Sequence, residues 1–573
     1  MTSHALVRFV TLMVVLCCIC GVAPAQKATE TPAFDQPPTP NMVIVNARIW
    51  TGVPNAPDAE ALAITGHLIT AVGTNDEVRE RAGEHTAVID AGGRRIIPGI
   101  TDSHTHFIEM GLQLARVDLR SAANRTEFVN RIAAQVARMT PGEWVLGGQY
   151  TVDSWEDPSP PDKSWIDSVS PGNPVFVNRM DGHQALANSV ALKYARIDRD
   201  GPADPPGGEI VRDPETREPT GVLKDEAMTL VSQHIPPTSP RTAYDALLKV
   251  CQVANAWGIT AIHDMTDPPQ LPVYKMADER GTLTVRVRSY VQTETFQQSW
   301  PKIQADYPEP GRLFEIAGLK SYMDGSLGSR TAYMRAPFAD ATPESKYPRG
   351  FLLAHAADPH YADDIRWAHE HGAQIAVHAI GDEANHKILD IYAGLPDGGA
   401  RHNRVEHAQH LLRADIPRFA KLGVTASMQP LHKADDGRWA EQALGPERSR
   451  TTYAFKDLLD SGALVIFGSD TPVVTMNPFL GIQAAVTART LDGKVWVPEQ
   501  RISRTAALAC YTVNPHVAAG RADRVGTLTP GNWADLAILD ADILNIPIED
   551  VGAIEAWATI LDGRVIYRAD HTR

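Results

Sequence analysis

The sequence predicts an α/β protein: a (β/α)8 TIM-like barrel with a small β-sandwich domain formed from both ends of the chain. Three observations predict it. Short apolar strands alternate with amphipathic helices through the centre, which is typical of a parallel sheet. Both ends carry short strands separated by glycine-containing turns instead. At 573 residues, the chain is also too long for one ordinary hydrophobic core.

The N-terminus has the pattern of a secretory signal peptide over residues 1–25. Arg8 precedes the uncharged apolar run FVTLMVVLCCICGVA, which ends in an A-x-A cleavage site before Gln26. We therefore expect an exported protein, periplasmic or secreted, without stable membrane insertion after cleavage. The alternative is an uncleaved anchor, although the run is short for a membrane span. Residues 26–40 are rich in proline and are predicted to be a linker.

The strand patterns divide the rest of the chain into a sandwich and a barrel. Residues 41–97 and 521–573 are predicted to supply the two parts of the sandwich, and residues 98–520 the barrel. The centre contains nine candidate strands, one more than the barrel needs. We assign VFVNRM (residues 175–180) to an insertion around residues 120–240, which is rich in Pro and Asp and has no clear period.

Composition argues against several classes of partner and cofactor. The net charge of -15 argues against a nucleic-acid partner held by phosphate contacts. After the predicted cleavage only Cys251 and Cys510 remain, too few for a disulfide framework or a cysteine-based metal site. The sequence leaves open whether the protein forms a homo-oligomer.

Histidines and an aspartate at strand ends predict a metal site. In PGITDSHTHF, His104 and His106 are two residues apart, so on a strand both imidazoles point to one face, about 6–7 Å apart along the backbone. His378, His407 and Asp470 end three later strands. Catalytic groups of this barrel class stand at the C-terminal ends of strands. The five residues are therefore expected to converge.

This ligand set suits divalent ions and hydrolysis. Neutral histidines and carboxylates favour Zn²⁺ or a similar ion, and two ions could share a bridging hydroxide formed near pH 7. Asp470 can bind a metal and still accept the hydroxide proton, which predicts a general base. Another strand-end pair, His263 and Asp264 in ITAIHDM, is interpreted as structural or as lying behind the ligands.

Lys320 lies inside the strand pattern IAGLKSYMD, where a charged residue is rarely buried without a partner. From the residues alone, the simplest interpretation is an ion pair with Asp324 at the end of the strand. The family resemblance below implies a different role.

The motifs resemble the amidohydrolase superfamily, and within it the YtcJ-like branch (amidohydrolase 3 family) that includes N-substituted formamide deformylase. The similarity extends from residue 41 to about residue 567, and the matching stretches are IIPGITDSHTH, GLKSYMDGSLGSRTA, VHAIGDEAN, RVEHAQ, FGSDTPV and PGNWADLAILD. The resemblance implies two divalent ions. The first would be held by His104, His106 and Asp470, and the second by His378 and His407. Lys320, carboxylated by CO₂, would bridge both ions; a buried lysine is biased toward the neutral amine that reacts with CO₂.

The resemblance also implies hydrolysis of a C–N bond in a small amide-type substrate: an amide, an N-formyl amine or an N-acyl amine, rather than a peptide. Carboxypeptidase-like cleavage and lactone or carbamate hydrolysis on the same site remain alternatives, as does a non-catalytic exported binding protein. His183, in a glycine-flanked turn of the insertion, and Asp324 are expected to contact substrate. Ser326, Trp144 and Trp155 are weaker candidates for the pocket wall.

Overall fold

The computed structural model describes residues 39–114, 116–153, 155–396 and 402–569. The predicted signal peptide and most of the predicted linker lie outside these residues. Among the helices in the described ranges, none combines the length and apolar character needed to cross a membrane.

Eight parallel strands form the barrel, and their spatial order follows the chain. We call them β1 (Ile100–Thr105), β2 (Ile259–Thr266), β3 (Arg286–Gln292), β4 (Phe314–Tyr322), β5 (Gln374–Ala379), β6 (Arg404–His407), β7 (Thr425–Met428) and β8 (Val465–Phe467). This arrangement confirms the predicted fold class.

The barrel closes between β8 and β1 through residues just beyond β8. The Asp470 N–H donates to the His104 carbonyl at 2.7 Å, and the His106 N–H donates to the Thr471 carbonyl at 2.8 Å. These two backbone bonds continue the parallel ladder past the end of β8. The seam of the barrel therefore holds Asp470 beside two predicted metal ligands.

Helices follow or connect the barrel strands. The longest, Pro240–Ala256, begins with a Ser239 side chain that accepts the Thr242 N–H, with proline in the first turn. Its buried residues recur at helical spacing and pack into the main hydrophobic core. The other helices are Phe107–Gln113, Leu271–Glu279, Phe296–Asp306, Tyr361–Glu370, Asp382–Ala393, Ile416–Leu422, Pro430–Asp436, Ala440–Leu444, Pro446–Ser449, Phe455–Asp460, Pro478–Thr487, Arg504–Thr512 and Asn514–Ala518.

A separate six-stranded sheet lies in the long connection between β1 and β2. Its spatial order is Gly208–Arg212, Pro219–Asp225, Gln184–Ala187, Val175–Arg179, Val145–Tyr150 and Val117–Asp118. The segment VFVNRM therefore lies outside the barrel. Besides Phe107–Gln113 and Pro240–Ala256, this connection contains the helices Arg125–Val136, Ser164–Asp167, Ser189–Tyr194 and Thr229–Ser232. The sheet matters for function because some of its side chains line the main cavity.

Two further sheets form the sandwich domain and share one apolar core. One sheet consists of Met42–Val45, Ala61–Thr65, Leu68–Gly73 and Ala87–Asp90, beside the helix Asn75–Arg79. The other combines Arg48–Ile49 and Arg95–Pro98 with the C-terminal strands Leu536–Leu539, Ala556–Leu561 and Arg564–Arg568. Ile44 and Leu62 of the first sheet belong to one core cluster with Ile538 of the second. Both ends of the chain thus build the sandwich, as the fold class predicts.

Candidate metal centre and active site

A cavity of about 760 Å³ lies at the C-terminal ends of the barrel strands. All six residues predicted as metal ligands line it: His104, His106, Lys320, His378, His407 and Asp470. The parallel sheet explains this convergence, because it brings the C-terminal end of every strand to the same face of the barrel.

His104, His407 and Asp470 form the tightest cluster. Each is buried, and one potential ligand atom of each lies within 4.8 Å of those of the other two. Asp470 Oδ1 lies 3.3 Å from His104 Nε2 and 3.5 Å from His106 Nε2. Metal–ligand bonds of about 2.0–2.2 Å leave neighbouring ligand atoms at such separations, so these side chains are spaced as ligands of divalent ions.

The rings of His407 and His378 meet edge to face, with centroids 4.5 Å apart. The His407 Nδ1 lies 2.9 Å from Gln429 Oε1, which favours a proton on Nδ1 and leaves the Nε2 lone pair for a metal. His378 Nε2 is 3.1 Å from the Gly325 carbonyl, which leaves Nδ1. Burial, assisted by nearby positive charge, lowers the pKa of both rings well below the usual range. Both therefore favour the neutral form that binds metals.

The backbone at His407 and Asp470 has positive φ, 72° and 58°. Side chains alternate between the two faces of a regular strand, so His407 would point away from Glu406 if β6 continued unchanged. The left-handed conformation breaks this alternation at the end of the strand. Such strained positions cluster at functional sites when the surrounding structure holds them.

A buried Arg404–Glu406 pair supports His104. Glu406 Oε2 lies 2.6 Å from His104 Nδ1, and Arg404 donates to both carboxylate oxygens at 2.7 and 3.0 Å. Burial alone would raise the pKa of Glu406, but the charge of Arg404 and the bond to His104 hold it well below the usual range. The carboxylate thus stays ionised and orients the His104 ring with Nε2 toward the cavity. Glu406 is not among the residues predicted for the site, although it directly precedes His407 in RVEHAQ.

Lys320 is buried, with 1% of its surface exposed, and its Nζ has no hydrogen-bond partner among the described residues. The ring of Tyr322 lies 4.5 Å from Nζ. Burial lowers the pKa of Lys320 to about 8, although the charges of Glu406 and Asp470 act in the opposite direction. The neutral amine is therefore far more accessible than in an exposed lysine.

Asp324 occupies a different place from the one the sequence suggests. Its carboxylate accepts the N–H groups of Tyr333, Ile380 and Gly381 at 2.8–3.0 Å, and an oxygen lies 3.8 Å from His378 Nε2. It is neither the ion-pair partner of Lys320 nor among the side chains that line the cavity. Because backbone donors occupy its oxygens, Asp324 supports His378 and the turn after β5 instead of facing substrate.

His183 lines the cavity, and its ring centroid lies 5.0 Å from that of His378. Its Nδ1 lies 2.7 Å from Asp225 Oδ1. Burial lowers the pKa of His183, but the bond to Asp225 and its charge outweigh this effect and raise the pKa to about 9. The insertion thus places a cation beside the candidate metal ligands.

Of the three weaker candidates for the pocket wall, one lines the cavity and two pack in or against hydrophobic cores. Ser326 lines the cavity and donates to Asp181. Trp155 lies in a hydrophobic core of the insertion, and Trp144 packs against another. Neither tryptophan is among the cavity-lining residues of the described chain.

His263 and Asp264 have supporting positions. His263 Nδ1 lies 2.8 Å from an Arg404 nitrogen, and Asp264 accepts the Phe107 N–H at 2.7 Å and the Tyr274 hydroxyl at 3.0 Å. These contacts agree with the interpretation that this pair lies behind the ligands. Asp102 also went unnoticed in the sequence; it accepts the Ser469 N–H at 2.8 Å and so braces the turn that carries Asp470.

The sequence profile of the amidohydrolase family matches residues 87–567. The chain belongs to the amidohydrolase family. The matched range contains the whole barrel, and with it every predicted metal ligand.

Three relatives align with almost the whole chain of this amidohydrolase-family protein. Protein LONG AFTER FAR-RED 3 of Arabidopsis thaliana is 34% identical, covering 92% of this chain and 91% of its own. YtcJ of Bacillus subtilis is 29% identical, with coverages of 91% and 98%. N-substituted formamide deformylase of Arthrobacter pascens is 26% identical, with coverages of 92% and 98%. These similarities agree with the predicted branch of the family.

Two solved structures share the architecture. An uncharacterized metal-dependent hydrolase from Pyrococcus horikoshii OT3 is 24% identical, with a TM-score of 0.70 over 89% of this chain and 99% of that chain. A second, from Pyrococcus furiosus, is 25% identical, with a TM-score of 0.68 over 88% of this chain and 100% of that chain. The structural match to this amidohydrolase-family chain therefore covers more than the barrel alone.

Proposed function

We propose that this amidohydrolase-family protein hydrolyses the C–N bond of a small amide, N-formyl amine or N-acyl amine at a site for two divalent ions, Zn²⁺ being the expected metal. The observation that carries the proposal is the buried cluster of His104, His407 and Asp470, with ligand atoms within 4.8 Å, beside an unpartnered Lys320. The name of the Arthrobacter pascens deformylase supports cleavage of a C–N bond.

Unsatisfied buried atoms support metal binding. His104 Nε2 and Lys320 Nζ are buried without hydrogen-bond partners in the described part of the chain, although buried polar atoms are normally paired. His104, His106 and Asp470 would hold one ion and His378 and His407 the other, with Lys320 between them. Bound ions supply a hydroxide nucleophile at neutral pH and polarise the substrate carbonyl.

The bridging role requires carboxylation of Lys320. The neutral Nζ attacks the carbon of CO₂: an N–C bond forms while one C=O π bond opens and its electron pair moves to oxygen, and the nitrogen releases a proton to water. The resulting carbamate is an anion with two oxygens, which matches two adjacent cations. The lowered pKa of Lys320 supports this step, because only the neutral amine has a free electron pair.

Asp470 is the proton carrier in the proposed mechanism. Its Oδ1 lies toward His104 and His106, which leaves Oδ2 to accept the proton of the nucleophile and to pass it to the departing amine. Asp102 and Ser469 hold the turn that positions Asp470, and the Glu406 carboxylate holds His104. We also propose that the protein is exported, supported by the signal-peptide pattern of residues 1–25.

The proposal is tested by metal analysis of the purified protein, together with a screen of N-acyl amines, dipeptides, lactones and carbamates. We expect two metal ions per chain and the highest kcat/KM for an N-formyl or N-acyl amine. Preferred cleavage of a dipeptide or lactone would contradict the substrate class. A chain that binds no metal and cleaves nothing would favour the binding-protein alternative.

The bridging lysine has its own test in Lys320→Ala. This variant should lose bound metal and activity, and a short carboxylate such as propionate should restore part of both by replacing the carbamate oxygens. Lys433→Ala is the matched control, since Lys433 is also buried but donates to the Val497 carbonyl at 3.1 Å, outside the cavity lining. Two metals and full activity in Lys320→Ala would refute the bridge.

A further inference from the structure

One side of the cavity carries three carboxylates, Asp225, Glu226 and Glu294, which we call the acidic wall. Three Lys or Arg side chains of the described residues line the same cavity, and none pairs with this wall: Arg116 pairs with Glu109 at 3.1 Å, Arg179 with Asp153 and Asp181, and Lys320 with no carboxylate. The positive group that does contact the wall is His183, through Asp225.

Two oxygens of the acidic wall are buried without a hydrogen-bond donor. The Asp225 side chain is 1% exposed, and while Oδ1 contacts His183, Oδ2 has no partner among the described residues. Glu226 accepts the Ala354 N–H at 3.3 Å, but its Oε2 is likewise buried and unpaired. Such atoms are rare, because a buried carboxylate oxygen that loses its water ligands without replacement is costly.

Burial raises the pKa of Glu226 to about 7, reinforced by the negative charges of Asp225 and Glu294. The Glu226 carboxylate packs closely against Gly207, where an added Cβ would lie 2.9 Å from the Glu226 Cδ. The carboxylate therefore lies against the backbone at Gly207, while the Glu226 side chain as a whole is half-buried. A bound cation would relieve both the repulsion and the missing hydrogen bonds.

The acidic wall adjoins the candidate metal centre. His183 bonds to Asp225 and lies with its ring centroid 5.0 Å from that of His378. A substrate with its carbonyl at the metal ligands can thus extend along His183 to Glu226. The His183 ring lies between His378 and Asp225, with a centroid separation of 5.0 Å on one side and an Nδ1–Oδ1 distance of 2.7 Å on the other, so the path suits a short aliphatic spacer.

We propose that the acidic wall binds a second, positively charged nitrogen of the substrate, so that the preferred substrates are N-acyl derivatives of diamines. An ammonium group offers three N–H donors, and charge-assisted hydrogen bonds to carboxylates are the strong ones. The inference rests on the proposed amide hydrolysis for the cleavage step, but the binding of the cationic nitrogen does not depend on it.

The direct test compares N-acetyl-1,4-diaminobutane with N-acetylpentylamine, which replaces the terminal ammonium by a methyl group. We expect kcat/KM to be at least about tenfold higher for the diamine derivative, as a charged hydrogen bond contributes this much. Glu226→Gln combined with Glu294→Gln should abolish most of the preference. Glu109→Gln, which removes a cavity carboxylate already paired with Arg116, should retain it. Equal kcat/KM values in the wild type would overturn the inference, and so would an undiminished preference in the double variant.

Calorimetry separates this inference from the proposed function, because it needs no turnover. We expect 1,4-diaminobutane to bind the wild-type protein at least about tenfold more tightly than 1,4-butanediol, which has the same spacer without a charged nitrogen. Tight diamine binding without cleavage of any amide would support the acidic wall and refute the hydrolase proposal. Cleavage of both amides with equal affinity for the diamine and the diol would do the reverse.

Discussion

Lys320→Met offers a prediction in which stability and function change in opposite directions. Methionine has nearly the length of lysine but no charge, so the variant keeps the packing of β4 while removing the unpaired Nζ. In the metal-free protein, the buried charge of Lys320 destabilises the folded state. In the metal-loaded protein, the same nitrogen is the proposed attachment point of the bridge.

The lowered pKa of Lys320 determines the size of the expected change in the free energy of unfolding. A fall in the pKa of Lys320 from 10.5 to about 8 destabilises the folded state by about 3 kcal/mol at pH 7, since each pKa unit corresponds to about 1.4 kcal/mol. The unfolded chain binds the extra proton between pH 8 and pH 10.5. The penalty is therefore complete below about pH 8, shrinks as the pH rises, and disappears above 10.5. Metal-free Lys320→Met lacks this penalty, so its free energy of unfolding should exceed that of the wild type by up to about 3 kcal/mol at pH 7.

The assay is denaturant unfolding of the metal-free wild type and variant at pH 7 and pH 10, with metal content and hydrolysis measured on loaded samples. We expect Lys320→Met to be more stable than the wild type at pH 7, by a smaller margin at pH 10, and to lack the second metal and activity. A variant that is less stable at pH 7 would refute the reasoning on the buried charge. A variant with two metals and full activity would refute the bridge.

Three further predictions concern the ligands and the residues that support them. Glu406→Gln should cost about 3–5 kcal/mol of stability, because it leaves Arg404 buried without a counter-ion, and should weaken metal binding about 10–100-fold; unchanged metal titration would contradict the supporting role. Asp470→Asn should lower kcat by about 10²–10⁴-fold, and a pH–rate profile of normal height would exclude it as the proton carrier. Gln429→Leu should weaken metal binding by about tenfold while changing unfolding little, since it releases the His407 Nδ1; an unaltered affinity would contradict the assigned orientation of His407.

The barrel and the convergence of five strand-end ligands were accessible from the sequence because both depend on local patterns, whereas Lys320 joined the ligand set only through the family resemblance. Alternating strands and helices specify parallel pairing, and parallel pairing brings strand ends to one face. His104, His378 and His407 could therefore be placed together without any coordinates. The hydrogen-bond partners of these residues could not be predicted in this way. Glu406 lies 302 positions from His104 along the chain and contacts it only because the barrel closes.

Asp324 shows where local inference failed. Four residues after Lys320, it looked like an ion-pair partner or a substrate contact. In the folded chain, its carboxylate instead accepts backbone N–H groups at 2.8–3.0 Å from Tyr333 and from the turn at Ile380 and Gly381. A carboxylate accepts whichever donors the tertiary structure brings, and sequence distance says little about that.

The sequence by itself determined the fold class, the family resemblance and which residue types stand at the strand ends, because periodicity and motif spacing are local properties of the chain. Only the tertiary structure decided which of those residues are braced, which are left unpaired, and which charges face the cavity. The acidic wall is the clearest case. Asp225 ends a strand of the insertion and Glu226 follows it, and each keeps one buried oxygen to which the described residues supply no donor.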